Sequence, residues 1–250
     1  MRGTSAGGGD TSSALTVLMS ISGRVPVLAP ASRDPNRSSA VSLRGLTRFH
    51  ERRPAVVGVN LDVDPGEATF LRGPNGAGKS TLLRLIATAI HPTFGGGLVC
   101  GRDLIFERSG IRPLVELLGH RGRWYDDLTA AENLRFVCSL YDIPTAGIDA
   151  ALESVGLGSS SGIRVRDHSE GMRKRLSLAR VLIRRPELLL MDEPYAGLDD
   201  GGKDLVDALI REAANRGSTV ILAGHERREG LAGRTVTMER GAIVTSEVGP

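Results

Sequence analysis

Short apolar runs alternate with amphipathic stretches along the chain from Val41 onward. The stretch VSLRGLTRF alternates apolar and polar residues as a β-strand does, whereas ATFL, LVELLGH, ELLLMD and STVILAGH contain the near-continuous apolar runs of buried strands. The stretches LLRLIATAI, LTAAENLRFVCSLYDI, IDAALESVGL and KDLVDALIREAANRG are predicted to be helices. Strands that alternate with helices predict a largely parallel sheet covered on both faces.

Local signals predict where several of these elements begin and end. Thr129 followed by Glu132 is a capping-box pattern at the start of a helix. The helix LLRLIATAI is expected to stop at the His-Pro pair 91–92, and the following PTFGGG predicts a turn. The stretch RTVTMERGAIVTSE predicts a hairpin with Gly241 in its turn.

The first 40 residues differ in composition from the rest of the chain. They are rich in Gly, Ser, Ala and Pro and have no sustained period, which predicts a disordered N-terminal extension. The apolar stretch ALTVLMSI followed by an Ala-Pro-Ala segment leaves a signal peptide open as an alternative, and Met19 is a possible second start. The ordered domain is expected to span residues 41–250.

Composition narrows the protein class. The 250 residues are 40% hydrophobic but only 4% aromatic, so a core of Leu, Val, Ile and Ala is expected. The net charge of +3 is too small to indicate nucleic-acid binding by itself. Cys100 and Cys138 form no CxxC pair, which fits a reducing compartment. No run approaches the roughly 18 apolar residues of a membrane span.

The stretch GPNGAGKS, residues 73–80, matches the phosphate-loop pattern G-x-x-x-x-G-K-[ST]. It follows a predicted strand and precedes a predicted helix, as the motif requires. Glycines let successive backbone N–H groups point at phosphate oxygens, and the helix N-terminus adds positive potential. Lys79 is expected to reach the β- and γ-phosphates and Ser80 to ligate Mg²⁺. A chance match is the alternative.

Two acids follow the apolar run of ELLLMDEP. A buried strand delivers Asp192 and Glu193 to its carboxyl end, where ligands bind in open α/β sheets. Asp192 suits Mg²⁺, directly or through water, and Glu193 suits polarising a water for attack on the γ-phosphate. The alternative is a strand-end turn with solvated acids.

Together these motifs resemble the ATP-binding subunits of ABC transporters over about residues 41–250. The resemblance implies a P-loop NTPase (RecA-like) α/β fold. It has a mixed, mostly parallel sheet, an inserted helical subdomain at about 121–168 and an N-terminal antiparallel β subdomain. The family signature is usually Leu-Ser-Gly-Gly-Gln, and residues 168–172 read His-Ser-Glu-Gly-Met in its place. This segment also resembles the signature of drug-exporter ATPases.

The signature implies a site shared between two subunits. Ser169 and Gly171 at a helix N-terminus would hold the γ-phosphate of ATP bound to the other subunit. Glu170 replaces a glycine and is expected to turn its side chain away, while Met172 replaces the usual glutamine. The helix that follows has one apolar stripe and a set of basic residues expected largely elsewhere, which are Arg173, Lys174, Arg180 and Arg184.

The resemblance also implies roles for residues outside these motifs. Phe49 would stack on adenine, although a core phenylalanine is the alternative. His120 takes the place of the glutamine of the Q-loop, or is a solvated loop histidine. Asp199 lies in the D-loop that links two subunits, and His225 matches the switch histidine at the γ-phosphate. The expected ATP contacts also include the loop and the residue after it, which are Gly73, Pro74, Asn75, Gly76, Ala77, Gly78, Lys79, Ser80 and Thr81.

The function implied is that of an ATPase that uses ATP and Mg²⁺ to drive an exporter. The partners implied are a second copy of the chain and a polytopic permease, with the chain peripheral on the cytoplasmic side of the cell membrane and no nucleic acid expected. LGHRGRWYDDLTAAENLRFVCSLYDI looks like the ATPase subunit of the cytochrome c maturation haem exporter. A drug-exporter ATPase, a soluble ABC-type ATPase acting on nucleic acid or a ribosome, and a regulatory protein with a degenerate nucleotide site stay open.

Overall fold

The computed structural model describes residues 39–51, 53–119, 122–225 and 233–248. The chain divides into two compact units. The helical unit contains Arg123–Ile183 and Gly197–Ala208. The sheet unit contains residues 39–122, Arg184–Ala196 and 209–248, as far as they are described. The predicted disordered extension, residues 1–40, lies almost wholly outside the described residues and stays a prediction.

An antiparallel sheet occupies the N-terminal part of the sheet unit. Its described strands are β1 (Val41–His50), β2 (Arg53–Val63), β4 (Phe94–Val99) and β5 (Arg102–Asp103), in the order β2-β1-β4-β5. Val59, Leu61 and Val63 on β2 are buried while the residues between them are exposed, which is the period-two pattern of a strand with one buried face. The expected antiparallel β subdomain is confirmed.

The prediction of a turn at PTFGGG was wrong, because most of this stretch belongs to β4. Gly97 pairs with Leu43 of β1, and a Cβ on Gly97 would lie 2.0 Å from the carbonyl oxygen of Ser42. Only glycine allows this approach of two strands. The glycines therefore serve strand packing rather than chain reversal.

The second sheet has six described strands, which are β3 (Ala68–Arg72), β6 (Val115–Leu118), β7 (Leu188–Asp192), β8 (Thr219–Gly224), β9 (Arg234–Glu239) and β10 (Ala242–Val248). Their order in the sheet is β10-β9-β3-β8-β7-β6. All neighbours pair in parallel except β9 and β10, which form the expected antiparallel hairpin. Residues 188–191 and all of β8 are buried, as expected for strands with both faces covered. The predicted mixed, mostly parallel sheet is confirmed.

Six α-helices lie in the described residues. They are α1 (Lys79–Ile86), α2 (Arg108–Ile111), α3 (Ala130–Tyr141), α4 (Ile148–Ser154), α5 (Glu170–Arg184) and α6 (Asp200–Asn215). Helix α1 ends four residues before the end of its apolar stretch at Ile90, and Thr88 adopts φ 55° beyond it. None of the helices in this described part has the length and apolarity to cross a membrane.

The capping box of α3 is confirmed. The Thr129 hydroxyl accepts from the N–H of Glu132 at 3.2 Å, and the Glu132 carboxylate accepts from the N–H of Thr129 at 2.8 Å. Buried Asn133 then fixes the preceding loop, because its amide bonds both the N–H and the carbonyl of Tyr125. These hydrogen bonds therefore fix the turn that precedes α3 in the helical unit.

Candidate functional site

The phosphate loop connects β3 to α1. Two of its glycines lie where neighbouring backbone leaves no room for a Cβ. A Cβ on Gly73 would lie 2.3 Å from the carbonyl oxygen of Met238, and one on Gly78, at φ 102°, would lie 2.2 Å from that of Ala55. Gly241 in the β9–β10 turn donates its N–H to the carbonyl of Ala77 at 2.9 Å. The loop is thus held in shape by backbone from β2 and from the C-terminal hairpin.

Lys79 is the first residue of α1 and is 6% exposed. Its Nζ donates to the carbonyl oxygens of Gly73 at 2.6 Å and Pro74 at 3.2 Å. Both acceptors are neutral carbonyl oxygens, so neither offsets the charge of the ammonium. A buried charge with only neutral partners favours an anion, and the site therefore fits phosphate.

Ser80 and Asp192 meet at the carboxyl end of β7. The Ser80 hydroxyl donates to Oδ1 of Asp192 at 2.9 Å. These are hard oxygen ligands of the kind that Mg²⁺ uses, usually with waters and substrate phosphates. No group of three or more His, Cys, Asp or Glu side chains suited to a metal lies within the described residues. The pair fits a metal ion that takes its other ligands from phosphate and water.

Glu193, His225 and Asn75 form a polar cluster. Glu193 follows β7 and His225 follows β8, so both lie at the carboxyl edge of the parallel sheet. Nε2 of His225 lies 2.8 Å from Oδ1 of Asn75 and 3.5 Å from Oε1 of Glu193. Glu193 adopts φ 51° and donates its N–H to the carbonyl of Ala223 at 2.9 Å. The structure thus joins a carboxylate and an imidazole to the phosphate loop.

Three further residues of the sheet unit that were predicted to contact ATP are partly or fully exposed. Phe49 is half-buried on β1, where its N–H donates to the Thr93 hydroxyl at 3.2 Å. Thr81 is half-buried in the first turn of α1, and Gly76 has φ 79° in the exposed part of the loop. His120 lies outside the described residues, so its role stays a prediction.

Two predicted residues of the helical unit act as helix caps. The Ser169 hydroxyl accepts from the N–H of Met172 at 3.2 Å and so caps α5. Oδ1 of Asp199 accepts from the N–H of Gly202 at 2.9 Å and so caps α6. Asp199 also lies 3.3 Å from Nη2 of Arg175, which ties the first turn of α6 to α5.

Glu170 and Gly171 lie in the first turn of α5. A Cβ added to Gly171 would touch only the Ser169 hydroxyl, at 3.9 Å. A Cβ on Gly197 would lie 3.7 Å from both the Glu170 carboxylate and the Lys174 ammonium. The Glu170 carboxylate and the Lys174 ammonium therefore both lie beside Gly197.

Comparisons with known proteins support the interpretation of these residues as an ATP-binding site. The sequence profile described as ABC transporter matches residues 56–196, more than half of the chain. The chain is 33% identical over 212 residues to "Daunorubicin resistance ATP-binding protein DrrA3" of Streptomyces coeruleorubidus, covering 82% of this chain and 67% of that protein.

The chain belongs to the ABC transporter family.

This ABC ATPase has another relative of similar identity. It is 33% identical over 206 residues to "Cytochrome c biogenesis ATP-binding export protein CcmA" of Nitrosomonas europaea, covering 82% of this chain and 95% of that protein. A solved structure described as "Dimeric structure of a post-hydrolysis state of the ATP-binding cassette MJ0796 bound to ADP and Pi" shares the fold, with a TM-score of 0.75 and 24% identity over 83% of this chain and 98% of that one.

Family membership establishes the general activity. The chain binds ATP and is an ATPase subunit of a transporter. The resemblance drawn from residues 73–80, the 168–172 segment and Asp192-Glu193 is confirmed. The substrate that the transporter carries does not follow from it, because relatives of equal identity bear different names.

Sequence reasoning missed the contacts of two arginines of this ABC ATPase. Helical periodicity puts Arg184 on the polar side of α5, but its side chain is 4% exposed and forms an ion pair with Glu116, which is 5% exposed. The same periodicity puts Arg180 on the polar side of α5. Its guanidinium stacks on Trp124, with Cζ 4.9 Å from the ring centre. The Glu inside the apolar run LVELL was the available signal, since a carboxylate in a buried strand needs a partner.

Proposed function

We propose that this ABC ATPase powers an exporter, and that its phosphate loop and the carboxyl ends of β7 and β8 form the hydrolytic site. The observation that carries the proposal is the meeting of buried Lys79, the Ser80–Asp192 pair and the Glu193–His225–Asn75 cluster in one unit. These groups supply a cation for phosphate, oxygen ligands for a metal and a carboxylate for water.

ATP binding is assigned to the loop and to β1. The N–H groups of residues 73–81 and the Lys79 ammonium would hold the phosphates, and Phe49 would stack on the adenine ring. Ser80 and Asp192 would hold Mg²⁺, which neutralises charge on the phosphates when bound. His120 would contact the same site through a water.

Hydrolysis is assigned to Glu193 and His225. Glu193 would accept a proton from the water that attacks the γ-phosphate, and His225 would donate a hydrogen bond to a γ-phosphate oxygen. In the structure that imidazole nitrogen lies against Asn75 and Glu193. The cluster therefore holds the histidine close to the carboxylate before phosphate arrives.

The complete site is proposed to need a second copy of the chain. Each chain has one phosphate loop and one signature segment, so Ser169 and Gly171 of one copy would face the ATP of the other, with Asp199 at the junction. The cassette MJ0796, whose solved structure with ADP and Pi is described as dimeric, supports this arrangement.

The partner is proposed to be a polytopic permease, with this chain peripheral on the cytoplasmic side of the membrane. Haem export is favoured over drug export, because the chain spans 95% of the CcmA relative but 67% of DrrA3. Purification of the tagged chain from native membranes tests the partner. ATPase stimulation of the purified complex by haem supports haem export, whereas stimulation only by an anthracycline supports the drug exporter.

Substitution Glu193→Gln tests the hydrolytic site. We expect the rate of ATP hydrolysis to fall by about 10² or more, while ATP binding persists and dimers accumulate, because the loop and Lys79 are unchanged. Size-exclusion chromatography with ATP and a phosphate-release assay measure both. Glu239→Gln, an exposed carboxylate on β9, is the matched control. Hydrolysis at the wild-type rate in Glu193→Gln would show that another group activates the water.

A further inference from the structure

Strand pairing within the sheet unit brings His225 to the phosphate loop. Arg72, the last residue of β3, pairs in parallel with Gly224, the last residue of β8. Asn75 follows Arg72 by three residues, and His225 follows Gly224 directly. Because parallel strands end at the same edge of a sheet, this register places the side chains of Asn75 and His225 next to each other.

The neighbouring strand adds a carboxylate to the same place. Asp192 of β7 pairs with Ala223 of β8, and Glu193 is the next residue. Nε2 of His225 thus lies 2.8 Å from Oδ1 of Asn75 and 3.5 Å from Oε1 of Glu193. The first distance is that of a good hydrogen bond, and the second is longer than the usual range. Asn75 is therefore the main partner of this nitrogen.

The Glu193 carboxylate determines the direction of that hydrogen bond. A carboxylate only accepts hydrogen bonds. An Nε2 without a hydrogen would direct its lone pair at acceptor oxygens, whereas an Nε2–H group is attracted to them. Nε2 of His225 therefore carries the hydrogen and donates it to Oδ1 of Asn75.

The same N–H group is assigned to the γ-phosphate in the proposed function. A short, nearly linear hydrogen bond directs one N–H at one acceptor. The bond from His225 to Asn75 and the bond from His225 to a γ-phosphate oxygen are therefore alternatives. Whichever acceptor is stronger takes the hydrogen bond.

We propose that Asn75 is a positioning residue for His225 that makes the site distinguish ATP from ADP. In the free protein and with ADP, the amide oxygen of Asn75 holds Nε2–H of His225. A γ-phosphate is a charged and therefore stronger acceptor, so ATP takes the hydrogen bond over. The inference rests on the proposed contact between His225 and the γ-phosphate, and it adds the residue with which that phosphate competes.

This competition fixes the sign of the expected effect. ATP binding must break the bond to Asn75, whereas ADP binding leaves it in place. Asn75→Ala removes the bond but keeps the backbone N–H groups of the loop. We expect the Kd for ATP to fall by about twofold to tenfold, the usual net value of one neutral hydrogen bond. The Kd for ADP should change by less than about twofold.

A double-mutant cycle tests whether Asn75 acts through His225. The proteins are wild type, Asn75→Ala, His225→Ala and the double variant. Displacement of a fluorescent nucleotide by ADP or by the non-hydrolysable β,γ-imido analogue of ATP gives each Kd, on protein dilute enough to stay monomeric. Asn75→Ala should favour the ATP analogue over ADP when His225 is present and leave the ratio unchanged when it is absent. Asn215→Ala, at an exposed asparagine that ends α6, is the matched control.

The hydrogen bond also has a spectroscopic signature. Ring ¹⁵N chemical shifts show which nitrogen of a histidine carries the hydrogen, and the signals lost in His225→Ala assign His225 among the five histidines. Asn75→Ala should move the Nε2 signal of the free protein and of the ADP complex, and leave that of the ATP-analogue complex in place. An Nε2 without a hydrogen in the free wild type would overturn the proposal.

Failure of the proposed function gives a different result. If His225→Ala keeps the wild-type rate of ATP hydrolysis and the wild-type ratio of Kd values, the contact of His225 with the γ-phosphate is wrong. If His225→Ala loses hydrolysis while Asn75→Ala leaves the ratio unchanged, only the role of Asn75 is wrong. Weaker binding of the ATP analogue by Asn75→Ala also overturns that role, because Asn75 would then bind phosphate rather than compete with it.

Discussion

At the scale of single residues, the environment of His168 has a consequence for stability. This histidine directly precedes the Ser169 cap and is 6% exposed. Burial lowers the pKa of its imidazole below the ordinary 6.5, and Arg173 acts in the same direction while Asp167 opposes it. The folded protein therefore holds the neutral ring, and the unfolded chain binds a proton first as the pH falls.

We predict that acid destabilises the fold through His168. The stability contributed by the neutral ring is complete above pH 6.5. It is lost as the pH falls below that value toward the lower pKa of the folded state. Urea denaturation of wild type and His168→Leu between about pH 7.5 and 5 measures this. The stability difference should shift toward the variant as the pH falls, and parallel pH curves would show that other groups cause the loss.

The residues of the phosphate loop could be predicted from the sequence because the motif states both residue type and spacing. The structure buries Lys79 beneath the loop and joins Ser80 to Asp192, while their roles toward phosphate and metal stay predictions. The contact of His225 with Asn75 could not be predicted, since 150 residues separate them and only the pairing of β3 with β8 brings them together. Arg184 was misplaced because helical periodicity does not reveal where a neighbouring strand carries a buried carboxylate.

At the scale of elements, each start and end depends on a few hydrogen bonds. Local patterns predicted the ends that such bonds make, as in the capping box of α3. They failed where packing decides, since the glycines of β4 have the composition of a turn but the environment of a strand. Strand β2 was absent from the predicted elements, although the alternation of Val59, Leu61 and Val63 was a signal for it.

We predict that Thr129→Ala destabilises the protein by about 1 kcal/mol, the usual cost of losing a hydroxyl N-cap. The lost bond is the one from the N–H of Glu132 at 3.2 Å. Thr129→Ser keeps the hydroxyl and should lose less than half as much. Chemical denaturation of the two variants gives the values. Equal losses would show that the methyl group, not the cap, stabilises the turn.

At the scale of the whole molecule, the proposed shared site makes activity a property of two chains. Lys79 is proposed to bind the ATP of its own chain, and Ser169 is proposed to contact the ATP of the partner. A mixed dimer can contain one chain with a defective Lys79 and one chain with a defective Ser169. One of its two sites then carries both defects, and the other site is intact.

We predict that Lys79→Ala and Ser169→Asp complement each other. Aspartate retains the helix cap, but its charge would repel phosphate. Each variant alone should be inactive, and an equal mixture should recover about a quarter of the wild-type rate if chains pair at random. Phosphate release across a series of mixing ratios measures this, with a Lys79→Ala mixture lacking the second variant as control. Absence of recovery under conditions where dimers form would contradict the shared site.

Glu193 adopts φ 51°, a left-handed conformation that costs a residue with a Cβ about 1–2 kcal/mol and costs glycine little. The residue whose carboxylate is assigned to hydrolysis therefore has a backbone conformation that glycine would adopt at a lower free-energy cost. Natural selection for folding alone would drive this codon toward glycine. A descendant of this protein that no longer hydrolyses ATP is expected to replace Glu193 early, and the folded state should become more stable as a result. Folding stability therefore does not explain a glutamate at position 193, whereas the proposed role in hydrolysis does.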